Sequence, residues 1–330
     1  MEIDGCRGPL IDSRVSSYVP QLVITLSPLQ GGLSTSTMVK IELEDINDNL
    51  PVFSPSLYNT TLQTSHPVGQ TFLLLRATDL DSDQFGEVEF FIKSGNTAGT
   101  FQLDKQTGEL SLYSSLARSP FLHSLEIMAV DGGGSQSAQP AVVNINVLTE
   151  LSSAPLFDSS IYHFTVSEDA SKFSAVGKVL PQNLNIGRVF IYPEESKKYF
   201  DINPTTGTLS TRHSLDHEKH QTFLLNIGAS RSDAPVMGYC QVSITVLDVN
   251  DNKPQFGPTL GLVSIPENSP TNTIVYANEA RDADSGDNGM VKYRLVRDSN
   301  NYFNIDEDSG VLRTNKVRPE YKWGGYLCVL

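Results

Sequence analysis

Apolar residues alternate with largely polar neighbours in three stretches of the chain. Val39, Ile41 and Leu43 form the first, Val143, Ile145 and Val147 the second, and Val242, Ile244 and Val246 the third. A period of two sets one face of an extended chain on a core and the other in water, so each stretch predicts a half-buried β-strand. A Pro-x-Phe triplet follows each one, as Pro51-Val52-Phe53, Pro155-Leu156-Phe157 and Pro254-Gln255-Phe256, and its phenylalanines lie 104 and 99 residues apart. A second marker keeps the same step. Phe101-x-Leu103 leads to Thr107-Gly108, Phe200-x-Ile202 to Thr206-Gly207, and Phe303-x-Ile305 to Ser309-Gly310. This pattern predicts a strand ending in a turn whose glycine takes a positive φ. Short strands, frequent Gly, Pro, Asn and Asp turns and no sustained helical period predict an all-β sandwich in each repeat. The expected division is the C-terminal part of one repeat (1–50), two whole repeats (51–153 and 154–252) and a partial repeat (253–330).

The junctions carry the candidate chemistry. The third strand runs into Asp248-Val249-Asn250-Asp251-Asn252, where four of the five side chains end in oxygen. Pro254 then forbids a central strand from continuing. The same signature stands earlier as Asp45-Ile46-Asn47-Asp48-Asn49 before Pro51. Hard oxygen donors without sulfur or imidazole suit calcium, which accepts six to eight such ligands flexibly.

Composition narrows the class. A net charge of −14 opposes nucleic acid as a partner and fits a chain that gathers cations. No apolar run of about 18 residues is present, and Met1 to Leu10 lacks the apolar core of a secretory signal. Cys6, Cys240 and Cys328 are too far apart for a disulfide framework or a metal spacing. Cys240 is expected as an inert, partly buried thiol.

These features together resemble the extracellular repeats of the cadherin superfamily. The residues that carry the resemblance are the two Asp-x-Asn-Asp-Asn junctions with their Pro-x-Phe, Leu215-Asp216-His217-Glu218, Pro266-Glu267-Asn268, the run from Asp282 to Gly289, and the Phe…Thr-Gly marker. The divergent spacers are closest in style to the long atypical members of the Fat, dachsous and protocadherin types. The resemblance implies tandem seven-stranded Greek-key sandwiches in a rod, with calcium as the bound ion at the junctions. At the third junction it implies Glu168, Asp216, Glu218, Asp248, the Val249 carbonyl, Asn250, Asp251, Asn252, Asp282, Asp284 and the Asn288 carbonyl as ligands of three ions. One family ligand, an aspartate after the penultimate strand of the fourth repeat, has no counterpart before Leu330. At the first junction it implies Asp45, Asn47, Asp48, Asn49, Asp79, Asp81 and Asp131. There Ile11-Asp12-Ser13-Arg14 stands in the Leu-Asp-x-Glu slot, so fewer than three ions are expected.

The second junction departs from the pattern. Its linker reads Thr149-Glu150-Leu151-Ser152-Ser153, its glutamate slot Thr64, and its Leu-Asp-x-Glu slot Leu116-Ala117-Arg118-Ser119. The next repeat offers Asn183-Leu184-Asn185 for Asp-x-Asp and Arg231 for its late aspartate. Ligands are lost from both sides together, which predicts a calcium-free joint, bent or flexible.

Other constellations fall away. His217-Glu218-Lys219-His220 has the wrong spacing for a zinc protease, which leaves His213, His217 and His220 as exposed polar residues. Asp282-x-Asp284-x-Gly286 continues with Asp287 and Tyr293 where an EF-hand needs glycine and glutamate. Gly132-Gly133-Gly134 is expected at a loop tip, and Asn59-Thr60-Thr61 is a sequon for N-glycosylation. Trp323 lies far from the N-terminal position that strand-swapping cadherins use, so that adhesive mode is not expected. No catalytic motif is present, so no enzyme and no small-molecule substrate are expected. The resemblance implies calcium-dependent cell-cell adhesion at the extracellular face of the plasma membrane, with another cadherin on a facing cell as homophilic or heterophilic partner. With no leader or span in it, the chain is expected to be a fragment, an isoform or an incomplete gene product. The alternatives are a cadherin-like spacer in a secreted or surface enzyme or carbohydrate-binding protein, and a soluble decoy.

Overall fold

The computed structural model describes residues 21–26, 35–40, 44–149, 154–182, 187–231, 237–257, 265, 269–277, 279–298, 301–316 and 328–329. The chain divides into two compact units, and the division runs through the third sandwich. One unit comprises Met1–Tyr162, Gly177–Leu209 and Leu224–Ser243; the other comprises His163–Val176, Ser210–Phe223 and Ile244–Leu330.

In the first unit, β1 (Gln21–Leu26) and β2 (Thr35–Lys40) pair antiparallel, with Leu22 opposite Val39. Ile41 and Leu43 lie outside the described residues. The complete sandwich that follows holds β3 (Val52–Phe53), β4 (Leu57–Gln63), β5 (Thr71–Leu74), β6 (Ala77–Thr78), β7 (Val88–Ser94), β8 (Phe101–Leu103), β9 (Glu109–Leu112), β10 (Leu122–Asp131) and β11 (Ala141–Leu148). One sheet runs β4-β11-β10-β7 and the other β5-β9-β8, with β3 on β6. β4 lies parallel to β11, Ile145 opposite Thr60. The alternation predicted for Val143, Ile145 and Val147 is the burial pattern of β11, and all three reach the core with Tyr58, Phe72, Leu73, Leu110, Leu125 and Ile127. Each such side chain contributes about 1.5–3 kcal/mol over its exposed state.

The Pro-x-Phe and Phe…Thr-Gly markers sit where the pattern requires. Phe53 packs on Phe90 with ring centres 6.0 Å apart. Gly108, Gly207 and Gly310 have φ of +71°, +68° and +69°. A Cβ at Gly108 would stand 2.6 Å from the Leu75 carbonyl oxygen, so neither conformation nor space admits another residue.

The third sandwich repeats the plan with β12 (Ile161–Ser167), β13 (Ala175–Lys178), β14 (Gly187–Tyr192), β15 (Phe200–Ile202), β16 (Thr208–Thr211), β17 (Thr222–Arg231) and β18 (Gly238–Leu247). Its sheets run β12-β18-β17-β14 and β13-β16-β15. Cys240, Val242, Ile244 and Val246 of β18 point inward. Cys240 is wholly rather than partly buried, and burial pushes its thiol up.

In the second unit, the last repeat has β19 (Gln255–Phe256) on β21 (Ala280–Arg281), and β20 (Ile274–Tyr276) beside β24 (Leu312–Thr314) and β23 (Phe303–Ile305). The terminal β25 (Cys328–Val329) pairs with β22 (Leu295–Arg297), so the partial repeat gains a strand at its end. Pro266, Glu267 and Asn268 lie outside the described residues.

Candidate metal centre

The third junction assembles from four segments of the second unit. Glu168 follows the end of β12 and is buried. Its carboxylate accepts the His217 N–H at 2.6 Å on one oxygen and the Val249 N–H at 2.6 Å on the other. Asp248 Oδ2 accepts Ser285 N–H at 3.2 Å and the Asn288 side-chain amide at 2.8 Å. Asp284, buried, accepts the Asn252 backbone N–H and, at 2.7 Å, the Asn252 side-chain amide. Asp282 holds the Asp284 N–H at 3.1 Å, and Asn250 reaches the Asn288 carbonyl at 3.3 Å.

Two groups of three carboxylates result, Glu168 with Glu218 and Asp251, and Glu218 with Asp248 and Asp284. Within each, one oxygen per residue lies within 4.8 Å of the others. Like charges at that range make ionisation costly. The Glu218 carboxyl is pushed up by burial and by Glu168 beside it. Asp251 is pushed up by burial and then by Glu168, Asp284, Asp216 and Asp248. Asp248 is held down, first by the Asn288 amide. Asp216 stands outside both groups. It grips Lys219 at 2.5 Å, which holds it down.

The first junction is built the same way within the first unit. Asn49 donates its backbone N–H to Asp81 at 3.1 Å, as Asn252 does to Asp284. Ser82 N–H binds Asp45 at 2.6 Å, as Ser285 binds Asp248. Asp79 holds the Asp81 N–H at 2.9 Å, as Asp282 holds Asp284. Asn49 also reaches Asp48 at 2.9 Å. Asp131, at the end of β10, accepts Gly133 and Ser135 N–H groups, and Ser135 reaches Asn47. Burial pushes Asp131 up, but these N–H groups and the Asn47 amide outweigh it and hold it low. No three carboxylates among the described residues converge here as they do at the third junction.

Among the described residues, three buried carboxylate oxygens have no hydrogen-bond partner: Asp79 Oδ2 and Asp131 Oδ2 at the first junction, and Asp248 Oδ1 at the third. An orphaned anionic oxygen in a low-dielectric site is costly unless a cation meets it. The donor set, all oxygen and mostly carboxylate, fits calcium.

The second junction keeps the backbone, and the described positions equivalent to Glu168, Asp216 and Glu218 carry no carboxylate. Thr64 N–H binds the Leu148 carbonyl at 2.9 Å, and Glu168 N–H binds Leu247 at 3.1 Å, which equates the two positions. Leu116 is buried like Leu215. Ala117 and Ser119 then fall where Asp216 and Glu218 stand. Glu150 to Ser153 and Asn183 to Asn185 lie outside the described residues.

Neutral contacts connect the second and third sandwiches. Within the first unit, Gln241, Tyr192 and Tyr239 bond to strands β4 and β5 of the second sandwich. A lone Gln or Asn on an outward strand position is ordinary, so Gln241 and Asn226 by themselves do not announce this contact. The accessible signal was three aromatic residues, Phe190, Tyr192 and Tyr239, on positions that alternation turns outward. His217 was also missed. It is half-buried rather than exposed, with Nδ1 2.9 Å from the Val246 carbonyl and Nε2 3.0 Å from Ser285 Oγ.

Known proteins resemble this chain in sequence. The Cadherin domain family model matches residues 58–148, 162–247 and 262–318. The chain is 36% identical over 319 residues to Protein dachsous of Drosophila melanogaster, covering 92% of this chain and 9% of that protein. It is 36% identical over 291 residues to Protocadherin-23 of Homo sapiens, covering 86% and 9%. For Protocadherin Fat 4 of Homo sapiens the identity is 32% over 306 residues, covering 92% and 6%. The mouse cadherin-23 EC22-24 crystal structure is 27% identical, with a TM-score of 0.47, and the match covers 83% of this chain and 91% of that one. The chain thus spans less than a tenth of the length of these curated relatives. Three family matches across most of its residues place this chain in the cadherin family.

Proposed function

We propose that this chain is an extracellular segment for calcium-dependent cell-cell adhesion, working mechanically rather than as an enzyme. Calcium bridges neighbouring repeats at the first and third junctions and fixes their geometry. Asp45, Asn47, Asp48, Asn49, Asp79, Asp81 and Asp131 serve the first. Glu168, Asp216, Glu218, Asp248 to Asn252, Asp282, Asp284 and Asn288 serve the third. The joint between repeats 51–153 and 154–252 holds no ion. The partner is another cadherin on a facing cell, and the setting is the outer face of the plasma membrane.

The observation that carries this reading is the buried, unpartnered Asp248 Oδ1, on a residue that brings one carboxylate oxygen within 4.8 Å of Glu218 and Asp284. Calcium supplies charge neutralisation and a flexible coordination shell there. The chain's own part is to hold the oxygens in place through the His217, Val249 and Asn252 N–H groups. Calorimetric titration of the full chain with calcium tests it. Stoichiometric binding with Kd of roughly 10⁻⁴–10⁻³ M is expected, most of the third-junction heat being lost in Asp251→Ala. Equal binding by both proteins sinks the assignment.

A further inference from the structure

We propose that the second and third repeats are held together by a calcium-independent clasp, in which side chains of the third sandwich close the edge strands of the second. This rests on the reading that their joint holds no ion, and it concerns different residues. Strands β4 and β5 are the outer strands of the two sheets of the second sandwich. Edge strands present unpaired N–H and C=O groups that need cover.

Gln241 supplies that cover at β5. Its Oε1 accepts the Leu74 N–H at 2.7 Å and its Nε2 donates to the Leu74 carbonyl at 3.0 Å. A side-chain amide here reproduces the pairing of a neighbouring strand. The same Nε2 lies 3.0 Å from Asn226 Oδ1, which fixes its orientation. Tyr192 does the equivalent at β4. Its hydroxyl accepts the Asn59 N–H at 3.2 Å and donates to the Asn59 carbonyl at 2.8 Å. Tyr239 N–H binds Thr61 Oγ1 at 3.1 Å, and its ring packs on Tyr192 with centres 5.3 Å apart. Leu224 packs against the core of the second sandwich.

Burial agrees with the bonds. Alternation turns Asn226 and Gln241 away from the core of the third sandwich, yet they are 0% and 1% exposed. Leu225 to Ala229 are buried without a break, which requires cover on both faces of β17. Every contact named is between neutral groups, so chelation leaves it in place.

Hydrogen exchange of the full chain, followed in peptides carrying Asn59 and Leu74, tests the clasp. The wild type is measured in excess chelator and in calcium, beside Gln241→Ala and Tyr192→Phe. Wild-type protection is expected to be equal in both conditions. Exchange rises about tenfold at Leu74 in Gln241→Ala. It rises at Asn59 in Tyr192→Phe, while peptides of β10 and β11 stay protected and report an intact fold. Unprotected exchange of both wild-type peptides in chelator, or variants without effect, overturns the clasp. Further slowing of the wild-type peptides by calcium instead refutes the ion-free reading of the joint and leaves the clasp standing.

Discussion

Glu218 is the only residue shared by both carboxylate groups of the third junction, which makes Glu218→Gln the most informative single change. Glutamine keeps the shape and one acceptor oxygen but removes the charge. Losing a charged ligand costs about 1.5–3 kcal/mol, or about ten- to a hundredfold in affinity. Because Glu218 is shared, two ions weaken together, whereas Asp251→Asn disturbs one group. At calcium ten times Kd, each ion stabilises the folded chain by about 1.4 kcal/mol, which raises the melting temperature of a domain this size by about 6–11 °C. Glu218→Gln forfeits much of that rise. Without calcium the sign reverses. The folded-state pKa of Glu218 is raised by burial and by Glu168, so its charged form destabilises the empty chain at neutral pH. Removing the charge raises the melting temperature in chelator. Scanning calorimetry with and without calcium reads both effects beside the exposed control Glu307→Gln. A lower melting temperature in chelator, or a calcium response equal to the control's, refutes the reasoning.

Three further outcomes follow from other parts of the molecule. The double variant Asp48→Ala/Asp251→Ala, which removes one carboxylate from each Asp-x-Asn-Asp-Asn linker, is expected to lose most of the calcium-binding heat, and a site found at the second joint would contradict the ion-free reading. Gly108→Ala forces a side chain into a positive φ and against the Leu75 carbonyl, so it should destabilise by about 1–3 kcal/mol in urea unfolding; a loss below about 0.5 kcal/mol would show that the turn is not constrained as described. Asn59 is expected to stay unglycosylated in chains made through a secretory pathway, because Tyr192 holds its backbone and Asn144 binds its side chain at 3.2 Å; full occupancy by glycopeptide mass spectrometry, with Leu74 still protected, would refute this.

How far the sequence reached depended on the range of the interaction. Val143, Ile145 and Val147 announce their strand because period-two burial is local, and Gly108, Gly207 and Gly310 announce their turns because only glycine tolerates the backbone there. The third junction was legible because its acids fall in runs. Its supports were not. Glu168 is aimed by the N–H groups of His217 and Val249, 49 and 81 residues away, and backbone donors carry no residue signature. Asp216 fits the ligand slot by spacing, yet it grips Lys219 three positions on, a partner that the slot pattern does not consider. The clasp was illegible for a further reason. Gln241 and Asn226 match any solvent-facing position of a half-buried strand, and nothing local to Gln241 announces its bonds to Leu74 of the preceding sandwich.

Equating Thr64 with Glu168 sets the proposed ion-free joint beside the proposed calcium joint on one backbone framework. Both positions donate the same backbone bond, to Leu148 and to Leu247, so the strand ends are alike and only the side chains differ. At Glu168 a carboxylate reaches the linker and joins a cluster that needs a cation to offset its repulsion. At Thr64 no anion is offered, and Ala117 and Ser119 add none where Asp216 and Glu218 would stand. On the proposed ion-free reading of this joint, contact between the sandwiches comes from groups that need no charge balance. Gln241, Tyr192 and Tyr239 meet that requirement, since an amide, a hydroxyl and a backbone N–H pair with strand edges at any calcium concentration. Calcium depletion should therefore loosen the junction at Asp248 to Asn252 while the contact at Leu74 persists.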